Sequence, residues 1–107
     1  MESIMIIDNT SIQKQYQNYS IKLSSDLDII RILIEKDNTI YESNFNLKSL
    51  HRHQLLKSLT TQEIIKFIIG LIDMNKIEIK EENTNLKLIL ISTLPNVELN
   101  LQKKNII

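Results

Sequence analysis

The chain has 107 residues with 13 basic and 13 acidic side chains. That is enough for one domain with one core, and it lacks the single-sign field that holds nucleic acid or an anionic membrane. There is no cysteine, which excludes disulfides and thiolate metal sites. The start, MESIMIIDNT, has no basic segment and too short an apolar run for a signal peptide, so an intracellular, cytoplasmic setting is expected.

The apolar content is 21 Ile and 15 Leu against one Val and no Ala, with Gly and Pro once each. This bias fits a very AT-rich genome and weakens propensity arguments, because Ile stands where Val or Leu would serve. Periodicity therefore carries the reading.

In chain order, Ser3 to Ile7 is a short apolar run that suits an edge strand. Asp8 to Asn18, DNTSIQKQYQN, is polar and aperiodic and reads as a loose connector. Tyr19, Ile21 and Leu23 alternate with polar residues, as a half-buried strand does. Asp28 to Lys36 is a longer strand with Ile30, Ile32 and Ile34 on one face. Asp37-Asn38 signals a tight hairpin into a strand from Thr39 to Phe45. Asn46 suits the N-cap of a short helix from Leu47 to about Leu56.

Thr60 to Asn75 is the longest apolar-periodic run. Thr60 and Glu63 form a capping box, and Asn75 suits a left-handed helix end. The apolar arc spans roughly 200°, wider than the stripe of an ordinary surface helix. It predicts burial on two sides, between a sheet and a second helix, with the rims at Phe67 and Ile69 available to a partner. Ile77 and Ile79 then alternate in a strand. Leu86 to Ser92 is apolar enough for a central strand. Leu94-Pro95-Asn96 makes a hairpin tip, and Val97, Leu99 and Leu101 alternate in the last strand. The fold class is α+β: a seven-stranded antiparallel β-sandwich, or strongly curved sheet, with a helix-turn-helix between strands four and five. The expected organisation is an edge strand and connector over 1–18, one globular domain over 19–104 and a tail over 105–107. No internal repeat is read.

This order of elements resembles the head domain shared by the DNA end-joining scaffold proteins and the centriolar cartwheel protein. The segment 19–104 is also similar to a small module near the start of long protist proteins. The matching stretches are YSIKLS, YESNFNLKSL, IIKFIIGLIDMNKIEIKEE, LKLILI and LPNVELNLQKK. The resemblance implies a non-catalytic head that pairs with other heads through an apolar residue at the hairpin between the last two strands. The corresponding position is Leu94, beside Pro95. It also implies a basal-body or cytoskeletal scaffold with a coiled coil after the head. The chain ends at Ile107 without heptads, so a fragment or an unusually short member is expected.

Residues with chemistry are sparse. His51 and His53 are two apart, which on a helix points them about 200° away from each other, so no metal site is expected. Asp26 and Asp28 suit a turn better than a carboxylate pair. Tyr16, Tyr19 and Tyr41 read as core or rim residues, and no serine sits in a nucleophile elbow. No catalytic residue, cofactor, metal or small-molecule substrate is expected. The expected function is a protein-interaction or scaffold domain whose partner is another protein or a second copy of itself. The contacts are expected at Leu94, Pro95, Phe67 and Ile69. A small viral or mobile-element regulator is the alternative, followed by a weak nucleic-acid-binding helix-turn-helix.

Overall fold

The computed structural model describes residues 9–91 and 96–104. The elements are strands β1 (Asn9–Tyr16), β2 (Tyr19–Asp26), β3 (Ile29–Lys36) and β4 (Thr39–Asn46), helix α1 (Leu47–Leu50), a 3-10 turn (Gln54–Leu56), helix α2 (Thr61–Asp73), and strands β5 (Ile77–Glu81), β6 (Asn85–Leu90) and β7 (Val97–Lys103). They form one mixed α+β unit. All seven strands belong to a single antiparallel sheet of order β1-β2-β3-β4-β7-β6-β5.

The first four strands start at Asn9, Tyr19, Ile29 and Thr39, ten residues apart, and two-residue loops join them. This regular meander has no counterpart in residue identity. Its loops contain no glycine, yet the first loop residue of each has positive φ: Gln17 at 54°, Leu27 at 58° and Asp37 at 56°. Tight hairpins demand that conformation so that the turn follows the twist of the strands.

The sheet is one surface only through a narrow join. β4 and β7 pair over Tyr41↔Lys103 and Glu42↔Gln102, and Lys104 N–H donates to the Ile40 carbonyl at 2.8 Å. A four-stranded and a three-stranded part therefore meet at a short hinge. The sheet curls there, so of the two expected architectures it is the strongly curved sheet that is present and not two stacked sheets. Its concave face carries the core: Ile21 and Leu23 of β2, Ile30, Ile32 and Ile34 of β3, Leu86, Leu88 and Leu90 of β6, and Val97, Leu99 and Leu101 of β7.

Helix α2 fills the curl and packs on β1, β2 and β3. Thr60 Oγ1 accepts from Glu63 N–H at 3.2 Å, and Glu63 Oε1 accepts from Thr60 N–H at 2.9 Å, which makes the capping box. At the other end Asn75 is left-handed, with φ 62°. Asn75 N–H donates to the Ile72 carbonyl at 3.0 Å, and Lys76 N–H to the Leu71 carbonyl at 2.7 Å, closing the helix with a Schellman motif. Ile64, Ile65, Ile68, Leu71 and Ile72 are buried.

Two further expectations change. The segment read as a loose connector is β1, paired with β2 without interruption from Asn9↔Asp26 to Tyr16↔Tyr19. Its concave-side positions are Ile12, Lys14 and Tyr16, and the lysine breaks the apolar alternation. Lys14 is held there by Asp73 at the end of α2, 2.8 Å away. The expected first helix is a single turn, α1, capped by Asn46 Oδ1 on Lys48 N–H at 2.8 Å, and a separate 3-10 turn follows. The connection is thus not a helix-turn-helix of two full helices. The edge strand expected at Ser3 to Ile7 lies outside the described residues.

Candidate functional site

Two groups of residues stand out once the sheet is assembled. The first closes one end of the curl. Tyr19, Lys36, Tyr41 and Glu81 all occupy concave-side positions on four different strands, three of them at a strand end and Tyr41 two residues in from one. Glu81 accepts a hydrogen bond from the Tyr19 hydroxyl, one from Lys36 Nζ at 2.9 Å and a longer one from the Tyr41 hydroxyl at 3.4 Å. Lys36 Nζ also lies 5.2 Å from the centre of the Tyr19 ring, within cation–π range.

The electrostatics of this group are consistent. The Tyr19 hydroxyl, followed by Lys36, holds the Glu81 carboxyl below the usual carboxylate range. Burial, reinforced by Glu81, pushes both tyrosine hydroxyls up. Its hydrogen bond to Glu81 raises Lys36. Each shift favours an anionic Glu81, neutral tyrosines and a cationic lysine. The cluster joins β2, β3 and β4 to β5, so its effect is to hold the curl closed.

The second group lies on the convex face, at the β2–β3 turn. Ser11, Ser24, Arg31 and Asn44 stand directly opposite one another across four strands, with Asp26 and Ile29 opposed in the next row. Together with Ser25 they line a shallow concavity of about 370 Å³. Arg31 Nε donates to Asn44 Oδ1 at 3.1 Å and lies 3.6 Å from Glu42 Oε2. Its side chain remains 58% exposed. At the rim, Leu27 is 71% exposed and Ile29 40%.

This corner breaks several local rules within five residues. A left-handed conformation costs a non-glycine residue about 1–2 kcal/mol, and Leu27 adopts it while burying little of its side chain. Ser25 Oγ is buried and has no hydrogen-bond partner among the described residues. Ile29 begins its strand with its side chain on the solvent face. Departures of this kind gather where a sequence serves something besides stability.

The residues singled out in the sequence are dispersed. Leu94 and Pro95 lie outside the described residues. Phe67 and Ile69 are partly buried against the core. His51 Nε2 lies 2.8 Å from the Leu59 carbonyl oxygen, a contact that ties α1 to the start of α2. Among the described residues no group of three or more His, Asp or Glu side chains is placed to hold a metal ion, and no helix is long and apolar enough to cross a membrane. Tyr19 and Tyr41 are buried and Tyr16 partly so, as the core-or-rim reading expects. Leu27 went unnoticed because an exposed leucine in a turn leaves no periodic signal. Glu81 went unnoticed because its partners Lys36, Tyr41 and Tyr19 are 45, 40 and 62 residues away in sequence.

The chain matches no family model, no curated protein and no solved structure.

Proposed function

We propose that this chain is a non-catalytic protein-interaction domain that docks a partner on the convex face of the β1–β4 meander, at the β2–β3 turn. The observation that carries the reading is Leu27, a leucine 71% exposed in a left-handed turn position. Asn or Gly would suit that backbone better, so what favours leucine is contact with something outside the chain. The neighbouring apolar Ile29, the exposed Arg31 and the shallow concavity supply the mixed apolar and polar surface typical of a docking patch. The head-domain resemblance supports the same class of function, a scaffold module acting by contact. It adds the hairpin at Leu94 and Pro95 as a second contact.

The test is a photo-crosslinking amino acid placed at position 27, with position 57 as an exposed control. The reading predicts a discrete adduct with one protein species from position 27 and none from position 57. Equal or absent adducts from the two positions contradict it.

A further inference from the structure

We infer that the partner on this face is a second copy of the same chain, related by a two-fold axis passing between Asp26 and Arg31. This rests on the docking reading above and adds the identity of the partner.

The patch is self-complementary in charge. Asp26 and Arg31 sit diagonally across the β2–β3 pair: Asp26 is opposite Ile29, and Arg31 is opposite Ser24. They form no ion pair with each other. Arg31 has Glu42 at 3.6 Å from Nε, an exposed contact of small worth, and Asp26 has no ion-pair partner among the described residues. An axis lying in the face between them carries each onto the position of the other. It sets Arg31 of one copy over Asp26 of the other, twice, as an isologous interface requires.

The apolar part fits the same operation. Leu27 projects beyond the Asp26 row, so the two-fold carries it past Arg31 of the partner, toward the row of Lys22 and Leu33 on the same face. Each exposed leucine then rests on the other copy's β2–β3 surface. The whole chain carries 13 basic and 13 acidic residues, so no net charge opposes the approach of two copies.

Sedimentation equilibrium up to about 1 mM protein tests this, since weaker association is negligible as binding. The variants are D26R, R31D and the double exchange, with circular dichroism confirming the fold. All substitutions are on the solvent face, away from the core. The expected result is a concentration-dependent dimer that each single change weakens by about tenfold or more, because it sets like charges face to face. The double exchange is expected to restore it. A strict monomer at all concentrations overturns the inference. So does a dimer indifferent to the single changes. In either case a heterologous adduct at position 27 still supports the docking reading, whereas failure of both experiments removes the reading itself.

Discussion

The Tyr16 hydroxyl at the end of β1 donates to the Ile77 carbonyl oxygen at the start of β5, 3.2 Å away. These residues belong to the two edge strands of a seven-stranded sheet, so one bond spans the gap that the curl leaves open. The Glu81 cluster reinforces it at the far end of β5. Beyond its pairing with β6, the short strand β5 is therefore held to the first half of the sheet largely by side chains.

Tyr16→Phe removes the bond and leaves the ring. It is expected to cost about 1 kcal/mol, the usual net worth of such a hydrogen bond. Amide hydrogen exchange provides the check: residues 77–81 exchange faster in the variant, while β2 and β3 are unchanged.

Glu81 makes stability depend on pH in a defined direction. Its folded-state pKa is depressed, so its contribution is present above the ordinary carboxylate range and is lost as the pH falls through the folded value. Tyr19 and Tyr41 act at the other limit. Their pKa values are raised, so their contribution is present below the ordinary tyrosine value and is lost as the pH rises through the folded value. Urea unfolding from neutral pH down to roughly pH 3 follows the acid limb. Glu81→Gln is expected to flatten that limb and to cost about 1 kcal/mol at neutral pH. This is below the usual range for charge-assisted bonds, since water reaches the carboxylate.

Gly70 lies inside α2, and a Cβ added there meets nothing within 4 Å. Gly70→Ala is therefore expected to stabilise the fold by about 0.5–1 kcal/mol, through helix propensity alone. Thermal unfolding should show a rise of a few degrees.

Phe67 and Ile69 are partly buried against the core, and Ile68 between them is 1% exposed. Ile68→Ala is expected to cost about 2–5 kcal/mol, as a buried large-to-small change does. Phe67→Ala should cost less, in proportion to its partial burial. Chemical denaturation separates the two, and neither change is expected to alter the crosslinking pattern at position 27.

Much of the fold was legible because its signals are local. Tyr19, Ile21 and Leu23 alternate cleanly, as do Val97, Leu99 and Leu101. Thr60, Glu63 and Asn75 mark the ends of α2 by capping chemistry alone. β1 was hidden because Lys14 occupies a concave-side position, where it stays partly exposed at the sheet edge and pairs with Asp73, 59 residues later. The choice between a sandwich and one strongly curved sheet stayed open because the join between β4 and β7 rests on a few pairs that no alternation pattern reports. The candidate site was the least legible part. Leu27 matters through its backbone conformation and exposure, which exist only once the ten-residue meander has placed a two-residue loop beneath it.

Leu27→Asn separates folding from contact at a single position. Asn tolerates the left-handed turn, so the variant should gain about 1 kcal/mol and unfold about 4 °C higher than the parent chain. Measured on the same sample, sedimentation should show association lost or strongly weakened. A variant that is more stable and no longer associates is the predicted result. A variant that associates as tightly as the parent, or that unfolds at a lower temperature, would contradict the claim that Leu27 is held in its turn for contact.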